Sequence, residues 1–439
     1  MSGSGRHAVV LGASIAGLLA ARVLSDHFDK VTVVERDQLP DDAESRKGVP
    51  QDRHGHALLP RGVQILDELF PTLSDKMAAD GVPRPQHGTE IWRQFGVTVL
   101  NRGGSEKIPG LQPSRPYLDS KIRDRIRRLP NVDMVDDCPV LGLTVAASED
   151  RINGVKIAPR DEDEQALTAD LVVDATGRGG RTPVWLRELG YPTPPETESA
   201  IDLAYMSRSM RLRPGALDGR RLVLILPGPG QPRILGLFEH EDNRHMVTLG
   251  GYADDHPPAD LKDFQAFAAS IAPGFVTKAL SEAEWLDEPR RHHFPAGRRR
   301  HYEKLHRFPE GLLVIGDGMC SFNPQYGQGM TVAALEALAL RDALTAGPQD
   351  LSRRYFTAAA KVIDPVWQMV GSADRAQLGQ PQPLAERVIG AYMSRLHAAS
   401  QKDESLARDF DAVSGLLQPP SSLFKPAVMW RVLAGNLTR

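Results

Sequence analysis

Three short segments, far apart in the chain, carry residue types that can hold a phosphate-bearing cofactor. Gly12-Ala13-Ser14-Ile15-Ala16-Gly17 follows the apolar run Ala8-Val9-Val10-Leu11 and precedes mostly apolar, helix-forming residues through Leu24. That pattern predicts strand, tight turn and helix, with a pyrophosphate resting on free amides at the helix N-terminus. Gly12 allows the turn, and Gly17 lets the helix pack close on the strand. Ser14 stands where backbone approaches phosphate; it is small, and its hydroxyl can donate a hydrogen bond. A second strand, Val31-Thr32-Val33-Val34, ends at Glu35, and Arg36 follows. A carboxylate there accepts from a ribose diol and repels a 2′-phosphate, which favours FAD or NAD over NADP. Taken alone, the first segment also fits a tight turn in any α/β protein.

The second segment is Asp174-Ala175-Thr176-Gly177-Arg178, where the buried run Leu171-Val172-Val173 enters a loop. The third is longer. The strand Gly311 to Ile315 ends in Gly316-Asp317, and Pro324, Gly327-Gln328-Gly329 and Met330 open a predicted helix to Ala343. Asp317 at a strand end can bind a ribityl hydroxyl. Gly327 and Gly329 strip side chains from a helix N-terminus, whose amides and positive dipole suit the flavin edge that becomes anionic on reduction.

The elements that must position these segments alternate in texture. Residues 1–75, 111–182 and 306–345 read as one discontinuous nucleotide-binding unit. Residues 76–110 and 183–305 read as an antiparallel sheet interrupting it, with strands at Leu203 to Leu212, Arg221 to Leu226, Ile234 to His240 and His245 to Gly251. Residues 346–439 are largely helical. The charged, Pro-, Gly- and His-rich loop Asp37 to Arg61 is expected to cross the junction between units. Of 439 residues, 41% are hydrophobic and 25% charged, with a net charge of −3. This is long enough for a sizeable core and gives no reason to expect nucleic acid. The two cysteines, Cys138 and Cys320, match no metal or redox spacing, as expected of a reducing cytoplasm, and no vicinal pair stands ready beside a flavin. No targeting segment or membrane-spanning helix is read.

In this order, the three segments resemble the FAD-dependent monooxygenases of the p-hydroxybenzoate hydroxylase type, and the resemblance spans nearly the whole chain. It implies the α/β class: a Rossmann-like, glutathione-reductase-like FAD-binding domain interrupted by an antiparallel substrate sheet, with a helical C-terminal region. It also implies that Asp174 and Gly177 serve FAD and NADPH, that Asp317 binds the flavin ribose, and that Arg36 lies near the adenosine. Arg115, in Ser114-Arg115-Pro116-Tyr117-Leu118, resembles the family's helix-start arginine that contacts FAD; it also fits a surface arginine. The loop Ser45 to His56 is similar to that of bacterial polyether epoxidases, and Arg46 within it joins the expected cofactor set. That subgroup implies a large apolar substrate with an electron-rich alkene or aromatic ring. NADPH or NADH would dock transiently, because no second glycine fingerprint exists. O2 would add to reduced flavin to give a C4a-hydroperoxide, the electrophile for epoxidation or hydroxylation.

Met206, Leu224 and Phe238 are the expected pocket residues, on a sheet facing the flavin. No catalytic base is identified. His54 and His56 suggest flavin-side or junction hydrogen bonding rather than a metal. The run Arg290 to His293 with Arg298 to Arg300 suggests a solvated face with one arginine near the cofactor entrance. The last helix, Phe424 to Leu437, is expected to dock on the core rather than on a membrane. Three rivals share the cofactor. A flavin halogenase fits, although no Trp-x-Trp-x-Ile-Pro signature or matching lysine motif is present. A prenyl-chain reductase would work without oxygen, and a non-catalytic FAD-binding protein would consume no NAD(P)H.

Overall fold

A computed structural model describes residues 6–86, 89–100, 110–147, 150–228 and 231–437. The parts of the expected segments 1–75, 76–110, 111–182, 183–305 and 346–439 that fall elsewhere lie outside the described residues. The chain opens with β1 (His7–Leu11), α1 (Ile15–Ser25), β2 (Lys30–Val34), α2 (Pro60–Leu69) and α3 (Leu73–Ala79). It continues with β3 (Ile91–Phe95), β4 (Thr98–Val99), α4 (Arg115–Arg127), β5 (Val132–Val135), β6 (Val140–Val145), β7 (Ile152–Ile157), β8 (Gln165–Thr168) and β9 (Leu171–Asp174). Next come α5 (Thr182–Glu188), β10 (Glu196–Arg211), β11 (Leu222–Leu226), β12 (Ile234–Glu239), β13 (His245–Tyr252), α6 (Leu261–Ala269) and α7 (Gly274–Ser281). β14 (Glu284–Trp285), β15 (Arg290–Arg300), β16 (Leu312–Val314) and β17 (Cys320–Ser321) lead to the helices α8 (Gly329–Thr345), α9 (Leu351–Gln377), α10 (Leu384–Ser400), α11 (Glu404–Ser414) and α12 (Pro426–Leu437).

A parallel sheet in the order β16-β9-β1-β2-β5 forms the Rossmann-like core. Its strands are buried on both faces, so they read as unbroken Val/Leu runs rather than alternating ones. Helix α1 lies on this sheet and packs with α8, and Leu18, Leu19 and Leu24 are fully buried there. The FAD-type fold is therefore present, with β6, β7 and β8 as a small separate antiparallel sheet.

The interrupting sheet runs β17-β15-β10-β13-β12-β11-β3-β4. It is mixed rather than purely antiparallel, because β3 pairs with β11 in parallel from Ile91↔Leu222 to Phe95↔Leu226. A short strand 130 residues upstream cannot reach β11 by a hairpin, and a parallel edge pairing is what the long connection permits. Strand alternation divides the sheet's two faces. Val223, Ile225, Leu235, Leu237, Val247 and Leu249 pack beneath α6 and α7. The other face carries Leu222, Leu224, Phe238, Thr248, Tyr205, Ser207 and Tyr252, and looks toward the loop after β2 and the turn before α8.

The arginine run is solvated at its start, where Arg290, Arg291 and His293 are exposed, but not at its end. It is strand β15, and Arg299 is fully buried, its guanidinium 3.0 Å from Glu303 and 3.2 Å from Asp364. A buried arginine persists only when carboxylates and carbonyls satisfy its fork, and these partners lie far away in sequence or in the following turn. Among the described residues no helix is long and apolar enough to cross a membrane. Helix α12 packs inward through Val428 and Val432, while Trp430, Leu433 and Leu437 remain exposed.

Candidate active site

The glycine loop is built as its spacing predicts. Gly12 has φ +98°, and a Cβ there would stand 2.8 Å from the Ala175 carbonyl oxygen. At Gly17 a Cβ would overlap the carbonyl oxygen of Gly12 itself. Both positions therefore exclude a side chain because backbone occupies the space. Ile15 is buried and Ala16 half-buried at the start of α1, whose first amides have no intrahelical acceptor.

Glu35 does more than end its strand. It is buried, and its Oε2 accepts from the Ala13 amide at 2.7 Å while Oε1 accepts from the Asp37 amide at 3.1 Å. Arg46 reaches back to the same place. Its guanidinium lies 3.3 Å from Glu35, donates to the Ala13 carbonyl at 3.0 Å and stands 3.9 Å from Asp119. Arg115, also buried, donates to Ser14 Oγ at 2.8 Å and to Asp119 Oδ1 at 2.7 Å. Ser14 thus accepts from Arg115 and keeps its hydroxyl proton for a ligand. Asp119 joins the two arginines, a link absent from the sequence reading. Arg36 is exposed and borders an open hollow of about 670 Å³ with Asp37, Lys47 and Arg160.

Asp174 points inward. Its Oδ1 accepts from Thr176 N at 2.9 Å and Thr176 Oγ1 at 2.5 Å, and Oδ2 accepts from Thr182 at 2.5 Å. It shapes the loop that presents Gly177, whose φ is +79°. Asp317 lies beside Gly177 and reaches solvent at the bottom of a crevice. Crowding by protein raises its carboxyl above the usual carboxylate range, against the pull of Arg115 and Arg178. Pro324 and Gly327 are exposed, and Gly329 and Met330 are half-buried at the start of α8. A Cβ on Gly327 or Gly329 would meet no atom within 4 Å. The space in front of that helix end is open. These features fit FAD: a helix N-terminus cleared for pyrophosphate, a reachable acid in a crevice, and a second bare helix end.

Of the expected pocket residues, Phe238 and Leu224 share the cleft-facing side of the sheet with Leu222 and Ala57. Met206 does not. It belongs to the core under α6 and α7, because a shift of one residue along a strand reverses the face. Its neighbours Tyr205 and Ser207 take the cleft side. His54 Nδ1 lies 2.8 Å from Ser207 Oγ, which is 2.7 Å from Thr248 Oγ1, and the Gly55 amide donates to Thr248 at 2.9 Å. The loop after β2 is thereby latched onto the substrate sheet. Burial, then His292 and Arg53, lower the His54 pKa to about 4, so its imidazole is neutral at pH 7. His56 Nδ1 is 2.8 Å from the His54 carbonyl.

Glu336 was not anticipated. It is fully buried in α8, and its Oε2 accepts from the Gly316 amide at 2.6 Å, fixing the strand end before Asp317. The one signal for it is a lone acid in the apolar run Ala333 to Leu340. Burial pushes its pKa from an ordinary 4.5 up to about 8. The folded chain therefore holds this proton where the unfolded chain has released it. Stability from this group is full below the unfolded value and declines as pH rises toward 8, on the order of 5 kcal/mol in all. Thermal midpoints between about pH 5 and 9 should fall more steeply for the native protein than for Glu336→Gln. Parallel curves would show that Glu336 is ionised in its buried site.

No protein-family model matches the chain. Protein Rv3254 of Mycobacterium tuberculosis (strain ATCC 25618 / H37Rv) is 38% identical over 450 residues, covering 98% of this chain and 94% of that protein. The flavin-dependent brominase Bmp2 superposes with TM-score 0.70 at 15% identity, covering 98% of this chain and 99% of its own. The p-nitrophenol 4-monooxygenase PnpA of Pseudomonas putida DLL-E4 gives TM-score 0.67 at 16% identity, covering 94% and 98%. PqsL of P. aeruginosa, in complex with 2-aminobenzoylacetate, gives 0.64 at 16% identity, covering 93% and 99%. Such low identities speak for the fold, and the fold is the same as that read from the three motifs. The chain belongs to the family of the mycobacterial Protein Rv3254, built on the fold of the flavin-dependent monooxygenases and halogenases.

Proposed function

We propose that the chain is an FAD-dependent monooxygenase that uses NAD(P)H and O2 to epoxidise or hydroxylate an apolar, electron-rich organic substrate. The observation that carries this reading is the bare N-terminus of α8, open beyond Gly327 and Gly329, on a turn that Tyr252 of the substrate sheet holds through Gln325. Bound FAD would supply hydride acceptance and oxygen activation. The amides of α1 and Ser14 take the pyrophosphate, Glu35 with Arg36 the adenosine side, and Asp317 a ribityl hydroxyl. Arg46 and Arg115 hold the loop rigid. Leu224 and Phe238 exclude water from the reacting carbon, which protects an oxygen-transfer step from hydrolysis.

The test is oxygen uptake coupled to NAD(P)H loss, stimulated by polyenes, terpenoids or phenols, with a product that has gained one oxygen atom. No stimulation by any of them would count against the proposal. Asp317→Ala should weaken FAD by about tenfold or more, since a hydrogen bond to a charged group is lost, with little change in thermal midpoint. Unchanged flavin content would remove Asp317 from the site.

A halogenase is the second reading, and it is supported by the likeness to a brominase along essentially the full length of both chains. It predicts that product formation requires bromide or chloride. None of the described lysines is buried, so none is enclosed where it could pass an electrophilic halogen to substrate.

A further inference from the structure

Resting on the reading of this cleft as a substrate site, we propose that Tyr205 and Asp374 form a polar subsite that takes a neutral hydroxyl group of the substrate, accepting from Tyr205 and donating to Asp374.

Two buried polar atoms lack partners within one neighbourhood. Tyr205, on the cleft side of β10, is 6% exposed and its hydroxyl has no partner. Asp374 in α9 is 1% exposed; its Oδ1 accepts from Asn323 Nδ2 at 2.8 Å and Tyr326 OH at 3.1 Å, while Oδ2 has none. Both border the turn that leads to the bare end of α8. Asn323 also accepts from the Gln325 amide at 3.1 Å, and Tyr252 OH donates to Gln325 Oε1 at 2.5 Å. Tyr205 and Tyr252 share one apolar cluster with Ile234 and Phe294, and Leu378 packs against it. Leu378 is four residues beyond Asp374, so both project from the same side of the helix end toward that cluster.

A buried donor and a buried acceptor left unmade each cost about 1–3 kcal/mol. A hydroxyl answers both, since it accepts one hydrogen bond and donates another. An ether cannot donate, and a carboxylate would be repelled by Asp374. Burial raises the Asp374 pKa to about 6, so near pH 8 the side chain is an acceptor.

The test uses the FAD-loaded protein near pH 8 and calorimetric titration with 2-naphthol and with its methyl ether, 2-methoxynaphthalene. Visible flavin absorbance is read first, so failure of the cofactor reading registers separately from failure of the subsite. The naphthol should bind about tenfold or more tightly than the ether. Asp374→Asn should bring the two probes close together, whereas Tyr205→Phe removes a donor from which both probe oxygens can accept and should weaken both probes several-fold while the naphthol stays preferred. Asp374→Asn can disturb the turn, whereas Tyr205→Phe removes one oxygen and no packing, so either variant can decide the matter. Equal binding of both probes by the native protein, binding of neither, or unchanged affinity for both probes in Tyr205→Phe overturns the subsite.

Discussion

Gly17→Ala is expected to purify with less than about a tenth of its FAD and with a thermal midpoint several degrees lower. The added methyl would overlap the carbonyl oxygen of Gly12 and press on the Ala175 side chain. Neither can yield, because Gly12 is held by the Val34 carbonyl at 2.8 Å and Ala175 N donates to Leu11 at 2.9 Å. Helix α1 must therefore move away from β1 at the end where its free amides meet a phosphate. Overpacking of this kind costs about 1–3 kcal/mol, and the anion site is lost with the geometry. Flavin absorbance and a melting curve on one preparation check both effects. Native flavin content would show that phosphate does not rest on this helix end.

Arg46→Met should cost about 3–5 kcal/mol of stability, a loss larger than its packing alone would explain. The guanidinium sits between Glu35 and Asp119, and all three side chains are less than a tenth exposed. Methionine keeps much of the volume but leaves two carboxylates in a desolvated site, facing each other across the gap. Denaturant unfolding measures the loss. The double variant Arg46→Met with Glu35→Gln should recover part of it, because the carboxylate that lost its ion pair with Arg46 is no longer charged. Absence of recovery would place the energetic role of Arg46 elsewhere. FAD affinity should fall in the single variant, since Glu35 loses its ion pair and the Ala13 carbonyl its donor.

The legible parts of this protein are those in which local sequence and backbone geometry coincide. Gly17 is required by the Gly12 carbonyl within the same strand-turn-helix unit, and Gly12 by its own left-handed backbone, so the spacing alone predicts them. Gly327, whose φ is +65°, is legible from its place at the helix start, and the Rossmann-like sheet is legible because its Val/Leu runs admit few alternatives. The loop of His54 was legible as a junction crossing whose histidines make hydrogen bonds, but its partner residues on the sheet were not. Its partners lie 153 and more residues away, and nothing local marks them.

Pairing across such distances is decided by tertiary structure. The parallel contact of β3 with β11, the burial of Arg299 and the carboxylate shared by Arg46 and Arg115 all follow from which surfaces meet. Met206 shows the limit most sharply. An apolar residue on a strand buried on both sides carries no label for its face, and the register of β10 against β13 turned it to the core while presenting Tyr205 and Ser207 to the cleft. Sequence by itself determined the cofactor-type loop, its glycines and the class of fold. Only the folded chain decided what faces the reacting space, because side-chain period along a strand is two residues and its phase is set by the neighbouring strands.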